Sequence, residues 1–251
     1  MASKLQKKLI LGIKKFFRAT GKDKAVVGLS GGIDSALVCA LLVRALGKQK
    51  VAVLLLPVKG LSSEKNVKDA ESFAKKLGVK SIKIEINSFK DAFLGLKWVQ
   101  NKAAKANTLA RIRAVLLYNY ANSNDCLVVG TGNRTEIMLG YFTKYGDGAA
   151  DFFPIGKLWK TQVFQLAKEM KLPKEFLEKT PTAELFEGQT DEKELGATYK
   201  EMDAILVGLF DKGKTPQKLV SEGHKASIVR LIQERAKENR HKREFAPSIS
   251  L

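Results

Sequence analysis

A glycine turn between an apolar strand and an apolar helix constrains this chain more than any other feature. The apolar run 25–29 ends at a Ser-Gly-Gly turn, and a helix headed by Asp34 and Ser35 follows at once. Gly31 and Gly32 accept backbone angles closed to other residues and let a ligand approach the main chain. The following helix directs unpaired N–H groups and the positive end of its dipole at the turn. The segment therefore predicts a phosphate-binding loop.

The loop is not of the Walker A type, because Ile33, Asp34 and Ser35 stand where that motif requires a lysine. A helix N-terminus stabilises an anion by only about 0.3–1 kcal/mol at an exposed site, so cations from elsewhere in the chain must contribute. Asp34 would repel a bare phosphate, whereas its carboxylate suits Mg²⁺, which bridges carboxylate and phosphate oxygens. The alternative interpretation is an ordinary helix cap at Asp34.

Short apolar runs alternate with segments of helix length along the first half of the chain. Predicted strands cover 25–29, 51–56, 81–86 and 126–129, and predicted helices include 35–46 and 64–77. Apolar strands divided by helices predict an α/β fold, a doubly wound parallel sheet with helices on both faces and right-handed crossovers. Ligands of such sheets bind at the carboxyl ends of the strands.

Length and composition favour one domain spanning 1–251, with an N-terminal helix in 1–20 and a helical extension, 195–251, packed on the core. The N-terminal helix is amphipathic and basic, and the alternatives to a docked helix are a membrane-surface helix or a transit peptide. Apolar runs are far shorter than the ~20 residues that span a bilayer. Cys39 and Cys126 lack metal or redox spacing. We expect a soluble, cytoplasmic protein with both cysteines in the core.

The net charge of +18 attracts polyanions without identifying them. Aromatic residues are not interleaved with the basic ones as in single-strand binding platforms, so we expect no nucleic-acid partner and no membrane partner. Lys144, Lys160 and the pair Arg111 and Arg113 are candidate counter-charges for phosphates, and the alternative is a solvated basic face. Glu136 follows the fourth strand as Asp34 follows the first, and we expect both to hold one Mg²⁺. The alternative for Glu136 is a helix-start glutamate.

Two long polar segments, 140–151 and 181–195, are typical of functional loops. The second is predicted to act as a mobile lid that excludes water. Thr131 and Thr182 offer hydroxyls to a nucleotide, although turn capping explains them nearly as well. The two histidines stand far apart without a matched nucleophile, which argues against a Ser-His-Asp hydrolase.

Six motifs together carry a resemblance to a known family: GLSGGIDS at 28–35, NTLARIR at 107–113, VVGTGNRTE at 128–136, GYFTKYGDGAAD at 140–151, KTPTAEL at 179–185 and HKR at 241–243. The chain resembles the ammonia-dependent NAD synthetases of the N-type ATP pyrophosphatase superfamily. The first motif is shared across that superfamily, whereas FTKYGDG, PTAEL and the terminal HK are specific to the synthetases. At 132–135 the chain reads GNRT where many short bacterial members read DHAA.

The resemblance implies a Rossmann-like fold of the adenine nucleotide alpha hydrolase type and the ATP-dependent amidation of deamido-NAD by ammonia. The products would be NAD, AMP and pyrophosphate, formed through an acyl-adenylate. The resemblance also implies homodimers, and the chain has no segment resembling an amidohydrolase domain, so we expect free ammonia as the donor. The alternative is a tRNA-modifying ATP pyrophosphatase that adenylates a base, for which the positive charge would be suited.

Site roles follow from the same resemblance. The implied ATP-binding residues are Gly28, Leu29, Ser30, Gly31, Gly32, Ile33, Asp34, Ser35, Thr131, Lys160 and Thr182. The implied deamido-NAD-binding residues are Arg111, Lys144, Asp151, His241 and Lys242. Asp34 and Glu136 would hold Mg²⁺, and the catalytic residues would be Asp147, Lys144 and Lys160. We hypothesise that Asp147 helps to deprotonate ammonium, which is mostly protonated at neutral pH.

Overall fold

A parallel four-stranded sheet forms the centre of the computed structural model, which describes residues 3–93, 96–182 and 190–249. Its strands are β1 (Ala25–Gly28), β2 (Val51–Leu55), β3 (Lys80–Lys83) and β4 (Leu127–Val128), arranged in the order β3-β2-β1-β4. Ala25 of β1 lies opposite Val51 of β2 on one side and Leu127 of β4 on the other. Beyond β4, a parallel bridge joins Val129 to Phe152. The predicted parallel sheet is confirmed.

Twelve α-helices lie within the described residues. They are α1 (Lys4–Thr20), α2 (Ile33–Leu46), α3 (Glu64–Leu77), α4 (Asn87–Asp91), α5 (Lys102–Asn124), α6 (Arg134–Leu139), α7 (Lys160–Glu169), α8 (Lys174–Leu177), α9 (Asp191–Leu195), α10 (Tyr199–Leu206), α11 (Pro216–Ser221) and α12 (Ala226–Glu238). Strand β3 is shorter than the predicted strand 81–86 because the chain turns into α4 at Asn87. Before that turn, the N–H of Ile84 donates to the carbonyl of Leu55 at the end of β2, and the N–H of Ile86 donates to the carbonyl of Pro57.

Helices cover both faces of the sheet, which confirms the doubly wound arrangement. On one face Val27 and Val53 pack in a cluster with α1, α2, α3, α7 and α8. Helix α2 lies between the sheet and α1, and it is therefore apolar around most of its surface. On the other face Val26 and Leu54 pack with residues of α5. Successive residues of β1 thus serve opposite faces, as the strand pleat requires.

A third apolar cluster joins the helices after residue 190 to the sheet domain. Met202 and Ile205 of α10 and Ile232 of α12 are buried together with Leu139 of α6 and Trp159. These contacts place α10 next to the start of α7, which carries one of the predicted site residues. The assignment of 1–251 to one domain stays a prediction.

The described residues hold no membrane-spanning helix and no disulfide bond. None of their helices is both long and apolar enough to cross a bilayer. Cys39 and Cys126 are free and buried, which confirms their predicted place in the core. Burial raises the pKa of the Cys39 thiol to about 12, so this thiol stays protonated and unreactive at neutral pH.

Candidate active site

The glycine loop is shaped by a left-handed residue and by two serine hydroxyls. Gly31 has φ +84°, and a Cβ there would lie 2.4 Å from the carbonyl oxygen of Asn66. The Ser35 hydroxyl donates to the Gly32 carbonyl over 3.0 Å, and the Ser30 hydroxyl accepts from the Gly32 N–H over 3.2 Å. No side chain caps α2 at Gly32. The alternative of Asp34 as an ordinary cap is therefore wrong, because Asp34 lies inside the first turn.

The carboxylates of Asp34 and Glu136 converge on one ammonium. Lys160 Nζ lies 2.5 Å from Asp34 Oδ2 and 3.3 Å from Glu136 Oε1. The Lys160 side chain is 2% exposed, and the two carboxylates are 16% and 18% exposed. Residues from α2, α6 and α7, which are distant in the chain, thus meet at one point beside the glycine loop. One cation already contacts both predicted metal ligands.

The protonation of this cluster depends on burial and on mutual attraction. Burial alone would lower the pKa of Lys160, but the carboxylates of Asp34 and Glu136 raise it above its usual range, so the ammonium stays charged. Burial raises the pKa of Glu136, Lys160 opposes that rise, and the nearby Asp34 carboxylate adds to it. While Glu136 is ionised, its carboxylate and that of Asp34 outweigh the one ammonium by one negative charge, and a bound triphosphate would add to that excess. A divalent cation would offset it.

Asn133 connects the two carboxylates. Its side-chain amide donates to Asp34 Oδ1 over 2.9 Å, and its own oxygen accepts from the Glu136 N–H over 3.1 Å. Glu136 Oε2 in turn accepts from the Asn133 N–H over 3.2 Å, which completes a capping box at the start of α6. Glu136 is therefore a helix-start glutamate and also a partner of Lys160. The Asn-x-x-Glu spacing of the capping box is visible in the sequence and could have identified Asn133.

Asp203 of α10 anchors the start of α7. Its Oδ1 accepts from the Thr135 hydroxyl over 2.5 Å, and its Oδ2 accepts from the Thr161 N–H over 2.8 Å. The Thr135 hydroxyl also accepts from the Lys160 N–H over 2.9 Å. A buried carboxylate at a helix N-terminus is favoured by the helix dipole. Asp203 and Thr135 therefore fix the backbone from which the Lys160 side chain extends.

A cavity of about 450 Å³ opens at the carboxyl ends of the strands. Its walls include all but one of the predicted ATP-binding residues, namely Gly28, Leu29, Ser30, Gly32, Ile33, Asp34, Ser35, Thr131, Lys160 and Thr182. Gly31 lies in the same loop. Glu136, Asp147 and Lys242 line the cavity too. The volume is within the range of about 300–1,000 Å³ that is usual for ligand pockets.

Asp147 is an exposed carboxylate that lines this cavity. Its Oδ1 accepts from the Thr143 N–H over 2.8 Å. Desolvation by the surrounding protein raises the pKa of Asp147, while the hydrogen bond from Thr143 and the charge of Lys242 oppose the rise. A carboxylate with a raised pKa is a better proton acceptor than an ordinary aspartate, as the hypothesised role toward ammonium requires.

Four of the five residues predicted for deamido-NAD lie near one another. Arg111 Nε donates to the Lys144 carbonyl over 3.3 Å, and Lys144 Nζ donates to the His241 carbonyl over 2.7 Å. Lys242 follows His241, and its Nζ donates to the carbonyl of Gly140 over 2.7 Å. These contacts join α5, the segment after α6 and the chain beyond α12.

Asp151 is not brought into this group by any contact seen in the described residues. Its Oδ2 accepts from the Val128 N–H over 2.7 Å, and its Oδ1 accepts from the Tyr118 hydroxyl over 3.3 Å. Asp151 borders a smaller hollow with Tyr118 and Cys126. Within one chain, its visible role is to secure the end of the sheet.

Asp191 also lines the cavity, and two tyrosine hydroxyls contact it. Asp191, 4% exposed, accepts hydrogen bonds from Tyr199 over 2.8 Å and from Tyr141 over 3.2 Å. Burial raises the pKa of Asp191, and the tyrosine hydroxyls oppose that rise. Asp191 lies within the predicted lid, 181–195, and no sequence signal distinguishes it from the other polar residues there. Residues 183–189 of that lid lie outside the described residues, and Asp191 begins α9.

Comparisons with known proteins agree with this architecture. The NAD synthase family profile matches residues 5–246. An NH(3)-dependent NAD(+) synthetase from Archaeoglobus fulgidus is 45% identical over 235 residues, which cover 94% of this chain and 92% of that protein.

Two solved structures are similar over nearly the whole chain. NMN synthetase from Francisella tularensis superposes with a TM-score of 0.88 at 35% identity, and the match covers 98% of each chain. NH3-dependent NAD synthetase from Campylobacter jejuni superposes with a TM-score of 0.84 at 33% identity, again over 98% of each chain. The similarity therefore includes the sheet, the cavity and the helices after residue 190.

Proposed function

The chain belongs to the NAD synthase family, and on that premise we propose that it amidates deamido-NAD with ammonia at the expense of ATP. The products are NAD, AMP and pyrophosphate, and the reaction passes through an acyl-adenylate. The observation that carries this proposal is the meeting of Asp34, Glu136 and Lys160 beside the glycine loop. The alternative, adenylation of a tRNA base, is not favoured by the family match.

The first step activates the pyridine carboxylate. One of its oxygens attacks the α-phosphorus of ATP, the bond from that phosphorus to the β-phosphate oxygen breaks, and pyrophosphate leaves with the electron pair. Without this step ammonia would have to displace oxide, which is too poor a leaving group. The loop N–H groups and the hydroxyls of Ser30 and Ser35 are suited to bind phosphate oxygens. Lys160, held by two carboxylates, is suited to neutralise charge on the transferred phosphate.

The donor set beside the loop fits Mg²⁺. Asp34 and Glu136 supply carboxylate oxygens that reach a common cation, and hard oxygen ligands are those that Mg²⁺ prefers. Across residues 3–93, 96–182 and 190–249, no three His, Cys, Asp or Glu side chains form a metal cluster. Phosphate oxygens and water would therefore complete the coordination. When bound, the ion supplies charge neutralisation for the departing pyrophosphate.

The second step forms the amide. Ammonia attacks the acyl carbon of the adenylate, AMP leaves, and the nitrogen loses a proton. The carboxylate of Asp147 on the cavity wall is suited to take a proton from ammonium, since desolvation by the surrounding protein raises its pKa. Thr143 fixes Asp147 through its N–H, so the carboxylate has a defined position on the cavity wall.

Recognition of the dinucleotide is assigned to Arg111, Lys144, His241 and Lys242, which lie near one another at the side of the cavity. Asp151 belongs to this set by the resemblance of its motif. The homodimer and the cytoplasmic location belong to the same proposal. Sedimentation at micromolar concentration tests the dimer, and a monomer would contradict it.

The activity is tested by incubating the protein with ATP, Mg²⁺, ammonium and deamido-NAD and measuring NAD, AMP and pyrophosphate. Equal amounts of the three products are expected. An ammonia-free reaction should accumulate adenylated deamido-NAD, detectable by mass spectrometry. Parallel reactions with ATP alone, with tRNA and with nicotinate mononucleotide define the substrate. Pyrophosphate release with tRNA but not with deamido-NAD would contradict the proposal.

A further inference from the structure

Lys179 is a cation at the glycine loop that the sequence analysis did not single out. It lies just beyond α8, and its Nζ donates to the carbonyl of Gly31 over 2.7 Å. The carboxylate of Asp69 on α3 lies 3.3 Å from the same Nζ. The Lys179 side chain is 18% exposed and lines the main cavity. An ammonium is thus fixed against the loop.

The other basic side chains of the described cavity wall contact groups other than the Gly31 carbonyl. Lys160 is held between two carboxylates, and Lys242 donates to carbonyls in the segment after α6. Arg113 donates to the carbonyl of Leu56. Lys179 differs from these three because it contacts the glycine loop itself. Its ammonium therefore lies where a phosphate bound by the loop would need a counter-charge.

The position of the loop cannot adjust freely. Gly31 packs so closely against α3 that even a Cβ would collide with the Asn66 carbonyl. Lys179 is itself anchored to α3 through Asp69. The distance between the loop and the ammonium is therefore defined by the fold, and an ammonium held in place before the ligand arrives loses little freedom on binding.

We propose that Lys179 binds the β- and γ-phosphates of ATP and then the pyrophosphate that leaves. This inference rests on the proposed function. As the bond to the α-phosphorus breaks, negative charge grows on the departing β-phosphate oxygen, and the ammonium of Lys179 offsets it without gaining or losing a proton. Lys179 and Lys160 then act on different parts of the triphosphate. Lys160 contacts Asp34 and Glu136, which would hold the divalent cation, whereas Lys179 contacts the glycine loop.

Pyrophosphate binding measures this role directly. Wild-type protein, Lys179→Met and Lys179→Arg are titrated calorimetrically with inorganic pyrophosphate in the presence of Mg²⁺, and then with AMP. A lost charge-assisted hydrogen bond predicts a roughly 10- to 100-fold weaker pyrophosphate affinity for Lys179→Met. Affinity for AMP should stay within about twofold, since AMP lacks the β- and γ-phosphates. Lys179→Arg should recover part of the loss.

Lys76→Met is the matched control, because Lys76 is an exposed lysine on the same helix as Asp69. It should leave both affinities unchanged. Pyrophosphate affinity of Lys179→Met equal to wild type would overturn the inference. An equal loss of AMP and pyrophosphate affinity would also overturn it, because Lys179 would then act only by shaping the loop. Wild-type protein that makes no NAD would refute the proposed function instead, whatever the pyrophosphate titrations show.

Discussion

Replacing Lys160 with methionine tests the electrostatic account of the site. Methionine is close to lysine in length and leaves little cavity, so the main change is the loss of one positive charge. Lys160 is 2% exposed, and its Nζ contacts both Asp34 and Glu136. The variant leaves two partly buried carboxylates without their counter-charge. We expect the variant to have a lower free energy of unfolding than the wild type without ligand. The size of this loss should depend strongly on pH.

The expected loss of unfolding free energy follows from the burial of Lys160, Asp34 and Glu136. Breaking a fully buried ion pair by removing one partner costs about 3–5 kcal/mol. Asp34 and Glu136 retain 16% and 18% exposure, so partial hydration reduces the loss to roughly 2–3 kcal/mol at pH 8. This is a substantial part of the roughly 5–15 kcal/mol typical of a folded protein.

The sign of the pH dependence follows from Glu136. Burial already raises the pKa of Glu136 in the folded protein, and the loss of Lys160 raises it further. A carboxyl group whose pKa is higher in the folded than in the unfolded protein contributes most to folding stability below its unfolded pKa of about 4.3. This stability is lost as the pH rises through the pKa of the folded protein. The destabilisation of Lys160→Met should therefore be small near pH 5 and should grow toward pH 8.

Urea unfolding of wild type, Lys160→Met and the exposed control Lys76→Met at pH 5 and pH 8 measures these free energies. Saturating Mg²⁺ at pH 8 should restore part of the loss, because a second cation can occupy the space between the carboxylates. An equal loss at both pH values would refute the reasoning, since the damage would then be loss of packing rather than of charge.

Three further perturbations test other parts of the site. Gly31→Ala should lower the free energy of unfolding by about 1–3 kcal/mol and weaken ATP binding, because residue 31 has a positive φ and the added Cβ would lie 2.4 Å from the Asn66 carbonyl oxygen. Thermal unfolding measures the first effect and calorimetry the second. The control Gly12→Ala in α1 should not destabilise the protein. Asp147→Asn should slow amidation ~100-fold in single-turnover assays while adenylate forms at the wild-type rate; slower adenylate formation would contradict the assignment. Asp203→Asn should lower kcat by about tenfold with little change in the KM for deamido-NAD, because it weakens the hydrogen bonds that fix the start of α7. An unchanged kcat would show that Asp203 does not position Lys160.

Local signals explain why much of the fold was predictable. Apolar strands separated by helices identified all four strands, and the glycine turn after β1 identified the loop. Because parallel strands end at the same edge, the positions of Asp34 and Glu136 after β1 and β4 also predicted that they would meet. The ends of β3 and β4 were less predictable, since hydrogen bonding to neighbouring strands determines them.

The remaining site residues come from parts of the chain that carry no such local signal. Asp203 lies on an amphipathic helix, where a polar residue is ordinarily solvated, and only the packing of α10 against α7 buries it. Lys179 opens the KTPTAEL motif, but it is one of 44 basic residues and nothing in the motif shows that its ammonium meets the glycine loop. Its significance depends on a contact with Gly31, 148 positions earlier in the chain.

The central claim is that Asp34 and Glu136 hold one divalent cation on the triphosphate of ATP. Crystals grown with Mn²⁺ and α,β-methylene-ATP, measured by anomalous diffraction, test it most directly. We expect one manganese peak in contact with both carboxylates and with phosphate oxygens, and we expect this peak to disappear in Asp34→Asn. A manganese ion bound to the nucleotide but out of contact with Glu136 would contradict it.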